Sequence, residues 1–352
     1  MNSKRLIETC LVISAAFFLF TGLFYLRDFI VPILYGLVLA MLFVPLCRRL
    51  EKRGIHRGIA IGLCLLLFIV VVSAVGILLY FQLVDLSKDF PLFRDKAWRK
   101  FKELQLVVDH LFHVSAQDQN GWLKENYEKM LSFGTGIIAS LFRMVSGGLE
   151  LFLLMLLYLF LFLLLRTRIK EFVLKSLPKL APDYVLTLLS KTETVTRSYV
   201  SGILKLMVVM GVLNTLGFFL CGVKQAIFWG MLRGILNAIP YVGPILGAIF
   251  PMVSTLIQTD DWMHPFGVLL VIVITQIIQD VYVLPFVVGS NIRLNALTTI
   301  LSVFVGNMLW GIHGMVLLLP LTGIIKVLCD NVPSLKPIGY LLGDEKKFTD
   351  AK

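Results

Sequence analysis

The chain has 352 residues, 58% of them hydrophobic and 16% charged, with a formal net charge of +11 and a mean hydropathy of +0.86. A soluble globular domain carries roughly 45–50% apolar and about 25% charged residues, so this composition excludes one and describes a chain built for lipid. Nor does the positive charge describe a nucleic-acid binder, because the basic residues gather at the ends of apolar runs, where they orient membrane spans.

In chain order, 9–26 and 29–47 are apolar runs close to the ~20 residues that span a bilayer, joined by a turn at Arg27 and Asp28. No small-residue cleavage site follows the first, which reads as a retained helix rather than a signal peptide. Residues 48–57, with five basic residues against Glu51, mark a cytoplasmic loop. Residues 58–83 carry the chain out. The polar stretch 85–133 balances eight Lys/Arg against eight Asp/Glu, without the positive bias of an inner loop. Trp98, Phe101, Leu104, Val108, Leu111 and Phe112 recur at helical spacing, as do Trp122, Leu123, Tyr127, Met130 and Leu131. Residues 115–121 read as the turn between these two amphipathic helices. His110 and His113 lack a third ligand at motif spacing and read as an exposed helix face. The glycine pattern at 134–139 follows no strand, so it is not a dinucleotide loop.

A Leu- and Phe-rich span at 147–165 ends in basic residues. The segment 167–199, interrupted by Pro178 and Pro182, is expected on the cytoplasmic side as an amphipathic helix with Asp183 at its N-cap. A further span covers 201–222. The cysteines Cys10, Cys47, Cys64, Cys221 and Cys329 lie in or beside apolar runs without CxxC or metal-ligand spacing, so no disulfide framework, metal or cofactor is expected.

Two apolar stretches near the C-terminus are broken. In 225–258, Pro240-Tyr241-Val242-Gly243-Pro244 interrupts the helix, and 225–239 would be only about 22 Å long. In 297–328 the interruptions are Gly306, Gly311, His313 and Gly314. An unbroken span at 266–288, with Pro285 near its end, lies between them. Irregular backbone at membrane depth is tolerated where protein or a wet cavity satisfies it, and interrupted segments point to a transporter's solute site. The pair reads as two re-entrant hairpins, which puts Asp260 and Asp261 outside and Arg293 inside; the alternative is a plain proline kink in a long helix. Gly243 is expected there for a positive φ or for close approach of solute to backbone.

Polar groups inside spans are functional candidates by default. Gln276, Gln279 and Asp280 are spaced for one helix face, Arg233 and Asn237 for another. Two readings stand: a polar cavity at the hairpin tip, or an Asp280–Arg233 pair that merely holds the bundle. Gly230 and Gly234, and Gly243 and Gly247, are small-xxx-small pairs suited to close helix packing. Walker loops, HExxH motifs, nucleophile elbows and paired catalytic carboxylates are missing, so no enzyme is expected.

The chain resembles the autoinducer-2 exporter family of bacterial inner-membrane permeases in four segments: 28–60, IPYVGPILGAIFP at 239–251, QIIQDVYVLPFVVGSNIRLNALTTIL at 276–301, and GNMLWGIHGMVLLLPL at 306–321. The resemblance implies an all-α polytopic membrane protein of about eight membrane elements, two hairpins near the solute path, a homo-oligomer, and export of small polar solutes. Some relatives act as sodium/proton antiporters. The family's motif positions fall on Pro240, Gly243, Pro244, Pro285, Gly289, Gly311, Gly314 and Pro320. His313 and Ile203 stand where the family carries an aliphatic and a polar residue. The expected organisation is therefore three N-terminal helices (1–84), an extracytoplasmic helical region (85–143), a fourth span (144–166), a cytoplasmic segment (167–200), a transport region (201–330) and a cytoplasmic tail (331–352). Its partners would be the bilayer and a small polar solute, with both termini cytoplasmic. A cation/proton antiporter and a non-transporting scaffold are the alternatives.

This topology predicts that Gln117→Cys and Lys179→Cys, in a background lacking the five native cysteines, react with an impermeant thiol reagent from opposite sides. Labelling of Lys179→Cys from outside intact cells would reverse it.

Overall fold

The computed structural model describes residues 3–112, 148–178, 181–240, 242–259, 263–283 and 294–344. Apart from one isolated β-bridge between Leu294 and Gly343, the regular structure described is helical, and six helices are long and apolar enough to cross a membrane. Helix α1 (Ser3–Tyr25) and α2 (Arg27–Lys52) are separated by a one-residue turn at Leu26. Helix α3 (Arg57–Phe112) is a single run of 56 residues, about 84 Å at 1.5 Å per residue. The sequence suggested a span ending at Leu83 and a separate polar helix beyond it. Polarity changes there, but helix-forming residues continue, so the edge of the apolar run does not end the helix. The turn at 115–121, the second amphipathic pattern, His113 and the glycine pattern at 134–139 lie outside the described residues.

Helix α4 (Gly148–Ser176) packs with α2 and α3 around Ala40, Val44, Cys47, Ile61, Cys64, Leu159 and Leu163. The Cys47 thiol donates to Cys64 Sγ at 3.3 Å inside this core. Helix α5 (Pro182–Leu220) is continuous over 39 residues, so the boundary expected at 200 falls inside a helix. The cap position is held by Ala181 without a side-chain bond, and Asp183 sits in the first turn instead, where its charge favours the helix dipole. Val185, Leu188, Thr192, Thr196 and Tyr199 form the buried face of its first half. Polar ties hold that half in place: Arg48 to Glu193 at 3.7 Å, Lys191 to Asn331 at 2.9 Å, and the Tyr184 hydroxyl to the Asn331 carbonyl. Close by, Arg166 pairs with Glu51.

Helices α6 (Ala226–Leu236) and α7 (Val242–Gln258) fold back on each other. Gln258 Nε2 donates to Gln225 Oε1 at 3.0 Å, which brings both ends of the segment to one place; this is a helical hairpin. Lys96 of α3 reaches the same end, donating to the Gln258 carbonyl at 2.9 Å. Helix α8 (Met263–Ile278) starts from there and widens into a π-helical turn at Gln279–Val283. The second hairpin joins α9 (Ala296–Trp310) and α10 (Ile312–Asn331) through Gly311, whose φ of 60° and ψ of −137° suit glycine alone. Its ends also meet. After a short 3-10 turn, α11 (Lys336–Leu342) returns so that the Asn295 N–H donates to the Leu342 carbonyl at 3.1 Å.

Each hairpin depends on backbone touching backbone. A Cβ on Gly314 would stand 1.9 Å from the Gly306 carbonyl oxygen. One on Gly234 would stand 2.5 Å from the Met207 carbonyl and 2.7 Å from Gly211 Cα, and one on Gly230 2.2 Å from Thr215 Oγ1. Gly230 and Gly234 are therefore a packing surface for α5, not solute contacts.

Gly314→Ala is expected to cost about 2–4 kcal/mol, seen as a lower thermal unfolding temperature in detergent. Gly22→Ala, with nothing within 4 Å of the added carbon, should leave the transition unchanged. Equal transitions for the two variants would contradict the close α9–α10 contact.

Candidate solute site

Arg233 lies in the last turn of α6 and is 1% exposed, the largest fully buried side chain described. Gly234 beside it turns to α5, so Arg233 projects toward α7 and α8. Gly247 gives it room, since a Cβ there would meet Arg233 Cγ at 2.8 Å. The guanidinium donates from Nη1 to the Gly247 carbonyl at 3.5 Å, and from Nη2 to the Ile272 carbonyl at 3.5 Å and Gln276 Oε1 at 3.3 Å. These contacts are long for charge-assisted bonds, which run about 2.7–2.9 Å. Its Nε has no partner. Among the described residues no carboxylate is within ion-pair distance of it.

Gln276 instead stands between the cation and Asp280, donating from Nε2 to both Asp280 oxygens at 3.2 Å. The pairing of Arg233 with Asp280 weighed from sequence is thus indirect. Asp280 is exposed, whereas Gln279 is 6% exposed with its Oε1 unpartnered. The face expected for Gln276, Gln279 and Asp280 is split: Gln276 and Asp280 stay in contact, while Gln279 is buried. Asn237, one turn beyond Arg233, is 7% exposed and neither its Oδ1 nor its Nδ2 has a partner.

The turn itself is less open than expected. The N–H groups of Asn237, Ala238, Ile239 and Gly243 all find carbonyls at 2.9–3.1 Å within the segment. Pro240 lies in this turn, and Pro244 occupies the first turn of α7, where the missing N–H would have no helical partner anyway. Gly243 is not among the positive-φ glycines. It is required because a Cβ there would stand 1.8 Å from the Leu236 carbonyl oxygen. The close approach is of backbone to backbone, not of solute. Tyr241, Pro285 and Gly289 lie outside the described residues. Gly311, His313 and Gly314 belong to the other hairpin, where the His313 ring meets Tyr35 of α2, Nδ1 to hydroxyl at 3.4 Å. The structure brings Arg233 and Asp280 to Gln276 but does not bring His313 to them.

Sequence reasoning passed over Asn214. It is wholly buried in α5, its Nδ2 donating to the Met210 carbonyl at 2.7 Å and its Oδ1 accepting from Thr275 Oγ1 of α8 at 3.0 Å. An asparagine inside the run at 201–222 was the signal. The cleft of about 530 Å³ between α7 and α8 is a different place, lined by Met252, Val253, Leu256, Met263, Pro265, Phe266 and Leu269; that apolar wall offers a polar solute nothing.

Residues 10–334 match the AI-2E family transporter description. The chain belongs to the AI-2E transporter family. It is 23% identical over 99% of both chains to a Haemophilus influenzae protein with a provisional transport name. It is 24% identical to YrrI of Bacillus subtilis, also provisionally named for transport, over 86% of each chain. With the AI-2 transport protein TqsA of Escherichia coli it shares 22% identity over 93% of this chain and 92% of that one. Membership makes this a multi-pass bacterial membrane protein with a role in transport.

Gly243→Ala is expected to open the α6–α7 turn and cost about 2–4 kcal/mol, with folded yield falling together with activity. A variant with wild-type thermal stability would show that the turn tolerates a side chain.

Proposed function

We propose that this AI-2E member is a permease that moves a small polar solute, such as an autoinducer-2-like signal or metabolite, along the seam between the α6–α7 hairpin and α8. The reading assigns the lining to Arg233, Asn237, Gln276, Gln279 and Asp280, with Pro240, Gly243 and Pro244 shaping the adjoining backbone. The observation that carries it is that α6 and α8, joined by the Arg233–Gln276 contact, carry unpartnered buried polar atoms on Trp229, Arg233, Asn237 and Gln279. Buried polar groups are ordinarily hydrogen-bonded, and a free one costs about 1–3 kcal/mol. A site that exchanges its partners for those of a solute accounts for that expense. The name of TqsA supports autoinducer-2 as a first solute to test. With Arg233 enclosed, the conformation described is closed, and passage requires the seam to part. Secondary or facilitated transport follows from a chain with no nucleotide motif. The proposal includes a homo-oligomer in the inner membrane with both termini in the cytoplasm.

The test is flux of labelled autoinducer-2 and of small polar metabolites into liposomes holding the purified protein, with and without a sodium or proton gradient. Flux above protein-free liposomes supports the permease. Asp280→Asn, which keeps an acceptor for Gln276 but removes the charge, is expected to lower flux about tenfold, equivalent to roughly 1.4 kcal/mol at the barrier, with unchanged assembly. Wild-type flux in that variant would remove Asp280 from the path.

A further inference from the structure

Resting on the reading of this seam as the solute path, we propose that the solute is a small hydroxylated organic anion, held through its charged oxygens by Arg233. The first ground is charge. A buried guanidinium without a carboxylate partner is costly, and among the described residues Arg233 has none, only three neutral oxygens at 3.3–3.5 Å. The negative end of α6 offsets part of the charge, and Asp280 makes no ion pair with it, being linked to it through the Gln276 amide. An anion reaching the guanidinium would gain two short charge-assisted bonds in place of two long neutral ones. A cation there would meet like charge in a low-dielectric place.

The second ground is the set of unpartnered groups. Arg233 Nε and Asn237 Nδ2 are donors in need of acceptors, and Asn237 Oδ1 and Gln279 Oε1 are acceptors in need of donors. Carboxylate-type oxygens satisfy the first pair and hydroxyls the second. Neither a plain inorganic cation nor a hydrocarbon satisfies both. Size follows from position. Asn237 is one turn from Arg233, and Gln279 is about one turn from Gln276, with α6 and α8 both starting at the end where Gln225 meets Gln258. The orphaned groups therefore lie at matching depth, and a ligand spanning one turn, about 5 Å, has three to five carbons.

The experiment uses the purified full-length protein and matched pairs of probes: glycerate, threonate and arabinonate against glycerol, threitol and arabinitol. Thermal unfolding is followed in detergent, and flux in proteoliposomes. The acids are expected to raise the unfolding temperature saturably and to move, and the polyols to do neither. Arg233→Gln is expected to weaken the acid response at least about tenfold, the loss of one charge-assisted bond. Arg233→Lys keeps the charge without the fork and should fall between. If Arg233→Gln fails to fold, Arg233→Lys and the acid–polyol contrast in the wild type still decide. A response to polyols alone overturns the anion while leaving the permease reading in place. No response to any acid overturns the anion, and no flux of polyols, acids or autoinducer-2 overturns the permease reading as well. Acid responses unchanged in both Arg233 variants place the anion elsewhere and overturn the assignment.

Discussion

Helices in hydrocarbon gain little by hiding apolar surface from one another, because lipid tails are as apolar as leucine, so they associate where their backbones can come close. This chain meets that constraint with glycine at several crossings and at one turn. Gly211 and Gly234 let α6 lie directly on α5, Gly306 and Gly314 let α9 lie on α10, and Gly243 lets α7 start against the carbonyl of Leu236. The other features described depend on these contacts. With α6 held on α5 by its glycine face, the adjoining face must carry Arg233 toward α7 and α8. Aromatic packing completes that unit, with Phe228, Trp229 and Leu232 of α6 set among Phe218, Val268 and Ile272.

The two sides of α6 differ in kind. Toward α5 the contacts are short, apolar and filled. Toward α7 and α8 they combine apolar packing with long hydrogen bonds from one guanidinium and with side-chain atoms that have no partner. A seam of the second kind separates at lower cost, because few short hydrogen bonds are lost and several groups gain partners from whatever enters. Close packing at the glycine crossings and looseness at the polar seam fit the proposed path, which would have to open and shut within a helical bundle.

Much of this was legible in the chain. Apolar run length and basic flanks gave the spans, and Pro240 and Gly243 marked the first turn within a few residues. Pro244 misled, because a proline in the first turn of a helix breaks nothing. Helix continuity was not legible at Leu83 or at 200, since a change from lipid to water alters polarity without altering helix propensity. Among the candidate site residues, Arg233, Asn237 and Gln279 were singled out from the expense of burying polar groups, and all three are buried. The split between Gln279 and Asp280 was not, because neighbouring residues on a helix point in different directions and packing decides which is covered. Nor did spacing reveal that Gly243 answers to Leu236, a contact that exists only once the hairpin has closed.

Arg233 also bears on the antiporter alternative. A site for sodium is expected to gather oxygens with net negative charge, and a proton site needs a group that exchanges its proton at ordinary pH. Asp280 has the right chemistry but is exposed and already accepts two bonds from Gln276. The buried end of the same chain of contacts is a guanidinium, whose positive charge repels a metal ion. The order Arg233–Gln276–Asp280 thus runs from an enclosed positive end to an exposed negative one, and the neutral amide between them keeps the two from cancelling. Direct pairing would have made a stable strut between α6 and α8. Separation by Gln276 leaves the positive end available, which is the condition for the seam to recognise an anion rather than merely to hold its helices together.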